Sequence, residues 1–181
     1  MQEIVLVRHA SATGQEPESP LTAEGSRQAA ALADLLLPLK IERVICSPFL
    51  RARHSVAPFC ARSGISVEVD DRLVERTLSA RGLPDWQEHL RRSFDEMEYS
   101  LEGGESSHVA QERGVAVVAE AWRSGRRCAV VTHGNLLALI LKSIDPTVGF
   151  AFWSTLSNPD AFILRGEGDG PSEFSRIVRN T

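Results

Sequence analysis

The apolar residues of this chain fall into two alternating patterns. Short continuous apolar runs, typical of buried β-strands, are separated by longer segments in which apolar residues recur every three or four positions, as on an amphipathic helix. The runs predict strands at 2–8, 42–46, 66–70 and 127–132. The longer segments predict helices at 22–36 and 48–62, two further helices between 70 and 127, and a buried helix over 136–141.

Strands that alternate with helices predict an α/β fold around a mostly parallel sheet. We therefore expect three layers, α/β/α, with helices on both faces of the sheet. Residues 160–165 and 173–178 flank a glycine-rich stretch at 166–170, which predicts a final hairpin and an antiparallel edge strand. The 181 residues, 43% of them hydrophobic, are enough for one domain over 1–181.

Helix signals refine these bounds. Thr22 is a good N-cap for the first helix, and Pro38 stops it. Ser47 followed by Pro48 resembles an N-cap and a first helical position, which would start the second helix at 48. Pro58 predicts a kink in that helix or a shorter helix.

Histidine and arginine follow three of the predicted strands. Arg8 and His9 end the first strand, His133 and Gly134 follow 127–132, and Arg51 comes soon after 42–46. In an open α/β sheet, ligands bind in the crevice beyond the carboxyl ends of the strands. Two reactive imidazoles are thus expected to face one pocket, which indicates an enzyme.

These strand ends are part of a longer set of motifs by which the chain resembles the histidine phosphatase superfamily, with its phosphoglycerate mutase-like fold. The resemblance extends along nearly the whole chain, and it depends on the order and spacing of the motifs together. The motifs are Leu6-Val7-Arg8-His9-Ala10, Leu21-Thr22-Ala23-Glu24-Gly25 with Gln28-Ala29, the stretch 47–52, Leu73-Val74-Glu75, Gly103-Gly104-Glu105-Ser106 and Val131-Thr132-His133-Gly134.

The resemblance implies a catalytic core of His9, Arg8, Arg51, Glu75 and His133. A neutral His9 imidazole can attack phosphorus and form a phosphohistidine, which divides one displacement into two. Arg8 and Arg51 would hold the phosphoryl oxygens and lower the pKa of His9. His133 would donate to the transferring group, and Glu75 would protonate the leaving oxygen and then deprotonate water. The alternative for Glu75 is a surface carboxylate just past a strand.

The loop after His9 departs from the family pattern. Ala10-Ser11-Ala12-Thr13-Gly14-Gln15 stands where mutase-like members carry Gly-Glu-Ser/Thr and, further on, an Asn. The usual phosphate contacts therefore do not transfer, although Thr13, Gln15 or Ser11 could replace them by another loop path. Gly134 either offers a backbone N–H to the substrate or forms a tight turn.

Composition limits the partners of this protein. A net charge of −4 and a pI near 5.8 argue against a general nucleic-acid binder, and no apolar run approaches membrane-spanning length. Three cysteines, odd in number, suggest a reducing cytoplasm. The chain has no His-Glu-x-x-His or paired Cys/His spacing, so we expect neither a metal nor another cofactor. Residues 150–153 could pair subunits in a homodimer, or could pack in the core.

The expected activity is hydrolysis of a small phosphomonoester. Residues 79–113, here called the cap segment, are predicted to cover the pocket. The chain lacks the long insertions that close the mutase site, so water should reach a phosphohistidine. A phosphoglycerate mutase, a protein phosphohistidine phosphatase and a non-catalytic phospho-ligand sensor are the alternatives. The sequence does not reveal the alcohol portion of the substrate.

Overall fold

A computed structural model describes residues 2–177, which form one six-stranded mixed sheet between helices. The strands are β1 Gln2–Arg8, β2 Arg43–Cys46, β3 Val67–Val69, β4 Cys128–Thr132, β5 Asp160–Gly166 and β6 Glu173–Arg176. Their order is β3-β2-β4-β1-β5-β6, in which β1 to β4 run parallel and β5 is antiparallel to both β1 and β6. This arrangement confirms the predicted fold class with its antiparallel edge; position 178 of the predicted hairpin lies outside the described residues.

The strand register brings the ends of β1, β2 and β4 level with one another. Arg8 pairs with Thr132, and Cys46 pairs with Val131. The next residues outward, His9, Ser47 and His133, therefore leave the sheet at the same edge. The sequence order of the central strands reverses beside β1, which is where open α/β sheets form a ligand crevice.

Helices cover both faces of the sheet. They are α1 Ala23–Leu36, α2 Leu50–Ser63, α3 Trp86–Asp95, α4 Ser107–Arg123, α5 Gly134–Lys142 and α6 Phe150–Ser154. The first two pack on one face, and the last four pack on the other. Thr22 caps α1 as predicted, because its hydroxyl accepts a hydrogen bond from the Gly25 N–H at 2.9 Å. The helix over 136–141 is confirmed within α5, which is buried almost all round.

The predicted start of α2 is wrong. This helix begins at Leu50 with Phe49 in the N-cap position, and it continues through Pro58 to Ser63 rather than stopping early. Phe49, and not Ser47, stands at the N-cap position; the Ser47 hydroxyl accepts from the Phe49 N–H at 3.3 Å and also contacts the histidine that follows β4. The Arg51 side chain nevertheless lies in the first turn, as expected.

The cap segment contains α3 and the first turns of α4, joined by a loop. Phe94 and Leu90 anchor α3 in the core cluster of that face. Phe150, Phe152 and Trp153 of α6 are half-buried and pack against the same cluster. Within residues 2–177, no helix has the length and apolar character needed to cross a bilayer.

Candidate active site

His9 lies directly beyond the end of β1, with its side chain buried. Its Nδ1–H donates to the Ala10 carbonyl oxygen at 2.7 Å; since a carbonyl can only accept, the lone pair is on Nε2. The pKa of His9 is lowered from 6.5 to about 4, chiefly by burial and in part by the charges of Arg51 and Arg8. The imidazole is therefore neutral near pH 7, and its Nε2 carries the lone pair that a nucleophile needs.

Arg51 is fully buried on the first turn of α2 and contacts this imidazole. Its Nε–H donates to His9 Nε2 at 3.3 Å, and its Nη1 donates to the Gln15 and Glu16 carbonyl oxygens, both at 2.9 Å. Burial is the main cause that lowers the pKa of Arg51, and the nearby Glu75 opposes it. The loop after His9 thus folds over the guanidinium and fixes its position.

Arg8 approaches the same place from the end of β1. Its Nη1 donates to the Leu156 carbonyl at 3.0 Å and to the Ser157 carbonyl at 3.3 Å. Its Nε is buried and has no partner within residues 2–177. A Cβ on Gly134 would lie 2.9 Å from that Nε, so a glycine at this position lets the guanidinium lie against the start of α5.

His133 forms the second imidazole of the site. Its ring centroid is 5.0 Å from that of His9, and its Nε2 is 2.7 Å from the Ser47 Oγ. A Ser47 hydroxyl that donates to Nε2 places the imidazole proton on Nδ1, which is buried without a partner in the described part of the chain. Burial, followed by the neighbouring His9 and Arg51, holds the pKa of His133 well below its ordinary value.

Glu75 faces the start of α5. Its carboxylate oxygens accept hydrogen bonds from the backbone N–H groups of Asn135 and Leu136, each at 3.0 Å, and from the N–H of Arg76 at 2.9 Å. The N-terminus of a helix carries a partial positive charge and attracts anions. Glu75 therefore lies in a positive environment made by the start of α5 and by the nearby Arg8 and Arg51.

The structure brings His9, Arg8, Arg51, Glu75 and His133 together at one edge of the sheet. Two of their donors, Arg8 Nε and His133 Nδ1, are buried and unpaired among residues 2–177. Buried donors without partners are rare in proteins and call for a specific explanation. The arrangement fits a tetrahedral anion that binds against the free Nε2 of His9.

Thr13 and Gln15, the loop residues predicted to bind phosphate, make contacts other than the predicted ones. Thr13 is exposed, and its backbone N–H and hydroxyl both donate to the Pro20 carbonyl. Gln15 reaches the site through its backbone carbonyl, which accepts from Arg51. Gly134, in contrast, contacts the site directly beside Arg8.

Two residues that position His9 were missed by the sequence analysis. Ser55 Oγ accepts from the Ala10 N–H at 2.8 Å and donates to the Arg51 carbonyl at 2.6 Å. Asn158 Nδ2 donates to the His9 carbonyl at 2.9 Å. The spacing of four residues from Arg51 to Ser55 is a signal that could have found Ser55. Asn158 has no such local signal.

Arg113, which the sequence analysis also missed, positions the segment that leads to Glu75. Arg113 forms two hydrogen bonds with the Glu105 carboxylate, at 2.7 and 2.8 Å. Its Nη1 donates to the carbonyls of Arg72 and Val74, at 2.6 and 2.8 Å. This arginine therefore fixes the segment that ends at Glu75.

No cluster of three or more His, Cys, Asp or Glu side chains within residues 2–177 could hold a metal ion.

Sequence comparison matches this chain to one protein family and to individual proteins. A family model described as histidine phosphatase superfamily (branch 1) matches residues 4–172. A probable phosphoglycerate mutase of Klebsiella pneumoniae is 29% identical over 161 residues, which cover 80% of this chain and 75% of that protein. An uncharacterized Mycobacterium tuberculosis protein is 45% identical over 62 residues, 34% of this chain and 31% of that protein, so the match spans about a third of the relative's length.

Comparison of structures supports the same fold. The mycobacterial glucosyl-3-phosphoglycerate phosphatase superposes with a TM-score of 0.79. The superposition covers 99% of both chains at 24% sequence identity. At this level of identity the likeness establishes the phosphoglycerate mutase-like fold.

Proposed function

Because this chain belongs to the histidine phosphatase superfamily, we propose that it is a metal-independent phosphatase that hydrolyses a small phosphomonoester through a phosphohistidine on His9. The observation that carries this proposal is the hydrogen bond from His9 Nδ1–H to the Ala10 carbonyl. It leaves Nε2 deprotonated beside Arg51, where the lone pair can attack phosphorus.

The first step transfers the phosphoryl group to the enzyme. The Nε2 lone pair forms an N–P bond as the ester P–O bond breaks. Glu75, which takes up a proton from solvent when the anionic substrate binds beside it, gives that proton to the leaving oxygen. Arg8, Arg51 and the His133 Nδ1–H surround the phosphoryl oxygens and stabilise the charge of a loose transition state. The alcohol then leaves.

The second step returns the enzyme to its starting state. Glu75, now a carboxylate, takes a proton from water as the water oxygen attacks phosphorus. The N–P bond breaks, its electron pair returns to Nε2, and inorganic phosphate departs. Gly134 would allow the phosphoryl group to lie close to the start of α5. After a small movement of the loop that follows His9, Thr13 and Gln15 would line the side of the phosphoryl site that faces this loop.

The relatives bear on the choice of reaction. One solved neighbour is a phosphatase, whereas the relative from Klebsiella pneumoniae is named a probable phosphoglycerate mutase. Mutase activity is therefore the second candidate, in which the phosphohistidine returns its phosphoryl group to substrate faster than to water. The free thiols of Cys46, Cys60 and Cys128 suit a reducing compartment, and a cytoplasmic location is part of the proposal.

Phosphate release in EDTA tests the proposal. Wild type and His9→Ala are compared on 4-nitrophenyl phosphate, sugar phosphates and phosphoglycerates, with interconversion of 2- and 3-phosphoglycerate measured in parallel. We expect wild type to release phosphate and the variant to lose that activity. Interconversion that outruns release would favour the mutase, and release that needs an added divalent ion would contradict the phosphohistidine mechanism.

A further inference from the structure

We propose that Trp86, Trp153 and Arg91 form a subsite for the leaving group of the substrate, and that this leaving group contains a sugar ring. The inference rests on the proposed function, because it concerns the alcohol that the phosphatase releases. It follows from where α3 and α6 meet and from the donors that they present there.

Helix α6 reaches the phosphoryl site through its carboxyl end. The Trp153 carbonyl accepts from the Leu156 N–H at 3.1 Å, and the Leu156 carbonyl accepts from Arg8 at 3.0 Å. A single turn of chain thus connects Trp153 to the guanidinium proposed to hold the phosphoryl group.

Helix α3 reaches the site on the side of Glu75. Arg76, the residue after Glu75, donates from Nη1 to the Ser93 Oγ on α3 at 2.7 Å. The two helices then meet at the Trp86 and Trp153 rings, which pack edge to face with centroids 6.0 Å apart. The junction is thus linked to Arg8 through the end of α6 and to Arg76, the neighbour of Glu75, through α3.

Trp86 at this junction presents aromatic surface to solvent, whereas Trp153 is half-buried against the core. The Trp86 side chain is 43% exposed, whereas Trp122 in the core is 2% exposed and donates its indole N–H to the Gly168 carbonyl. Neither Trp86 nor Trp153 has a partner for its indole N–H among residues 2–177. Large aromatic side chains with unpaired polar ends are typical of binding surfaces.

Arg91 adds a positively charged group with unpaired donors to this junction. Its guanidinium lies 4.2 Å from the centroid of the Phe150 ring, and it makes no ion pair or hydrogen bond to any other described residue. A guanidinium that contacts an aromatic face through its central carbon still has N–H donors to offer a ligand. The junction therefore combines ring faces with several unpaired donors.

A sugar ring matches this combination better than other occupants do. One face of a sugar is made of C–H groups that pack on an aromatic ring, and its hydroxyl groups accept from N–H donors. A protein partner would need a much larger apolar area, since a stable interface buries roughly 800 Å² on each side. The described residues expose few large apolar side chains, and the other two, Val69 and Val109, belong to β3 and α4.

Substrate preference tests the subsite. The kcat/KM of glucose 6-phosphate is divided by that of propyl phosphate for wild type, Trp86→Ala, Trp86→Phe and Val69→Ala. We expect Trp86→Ala to lower this ratio about tenfold, the size expected when one stacking side chain is removed, and Trp86→Phe to lower it less. Val69→Ala removes an equally exposed apolar side chain elsewhere and should keep the ratio of wild type. An unchanged ratio in a folded Trp86→Ala protein would overturn the proposal.

Two further measurements separate the subsite from the chemistry. If 2-phenylethyl phosphate depends on Trp86 more than glucose 6-phosphate does, the occupant is an apolar alcohol and the sugar assignment is wrong. Equilibrium binding of glucose 6-phosphate to His9→Ala requires no turnover. We expect it to weaken about tenfold when Trp86→Ala is added. Such weakening would support the subsite even if wild type released no phosphate, and equal binding would refute it.

Discussion

The Glu75 carboxylate accepts a hydrogen bond from the Asn135 backbone N–H, 3.0 Å away at the first turn of α5. An internal anion therefore already occupies the helix end that would attract a phosphoryl group. Burial lowers the pKa of both Arg8 and Arg51, and the charge of the nearby Glu75 opposes that lowering in each. The carboxylate and a bound phosphate would compete for the same positive potential.

Replacing Glu75 by glutamine should therefore tighten binding of inorganic phosphate. The substitution keeps a side-chain carbonyl for one backbone N–H but removes the negative charge. We expect the Kd for phosphate to fall about threefold to tenfold, as one partly screened charge would give. Calorimetry at constant ionic strength measures it, with Glu173→Gln on β6 as the charge-matched control. Weaker phosphate binding in Glu75→Gln would show that the carboxylate does not compete.

The same variant should lose activity in a manner that depends on the leaving group. Glutamine cannot protonate an alkoxide, so esters of ordinary alcohols should slow by about 10²-fold or more. 4-Nitrophenyl phosphate needs little help from an acid and should slow much less. Initial rates on 4-nitrophenyl and propyl phosphate measure this difference. Equal losses on both esters would remove Glu75 from the role of proton donor.

Gly134→Ala should displace the Arg8 guanidinium. The added methyl group would lie 2.9 Å from Arg8 Nε and 3.0 Å from its Cζ, closer than real contacts allow. Because a small misplacement of a binding group can cost about 10²-fold in rate, we expect kcat/KM to fall tenfold to 10²-fold while the protein stays folded. Gly170→Ala, whose new Cβ meets nothing within 4 Å, is the control. Wild-type kcat/KM in Gly134→Ala would argue against this contact.

His9 should remain neutral far into the acid range. Its pKa is lowered to about 4, chiefly by burial, so the protonated form should gain half occupancy near that pH and not near 6.5. The ¹³C and ¹⁵N shifts of the imidazole, followed from pH 8 to pH 3.5 and assigned by their loss in His9→Ala, measure this directly. A midpoint between 6 and 7 would mean that the imidazole is more hydrated and less activated than its burial indicates.

The two histidines of the site were predictable from the strand pattern because each directly follows a strand, whereas Arg51 and Glu75 were expected from the resemblance to the family. Strand periodicity places His9 and His133 at one sheet edge once the strands are parallel, and the register bears this out. The fold class was predictable from the same alternation of patterns.

The supporting contacts were not predictable in the same way. Asn158 bonds to the His9 carbonyl across 149 positions of sequence, and such a contact leaves no periodic trace. The start of α2 was misjudged because Ser47 and Pro48 form a good local cap signal. The Ser47 hydroxyl accepts from the Phe49 N–H at 3.3 Å and also contacts His133 at 2.7 Å, but the helix begins only at Leu50.

Trapping the intermediate would show directly whether His9 carries the phosphoryl group. Wild type and His9→Ala are mixed with excess 4-nitrophenyl phosphate in EDTA, quenched in alkali within milliseconds, and digested for mass spectrometry. We predict an alkali-stable, acid-labile phosphoryl group on Nε2 of His9 in wild type, which forms as fast as turnover and is absent from the variant. Turnover by wild type with no phosphoryl group on His9, or with one on another residue, would contradict the account.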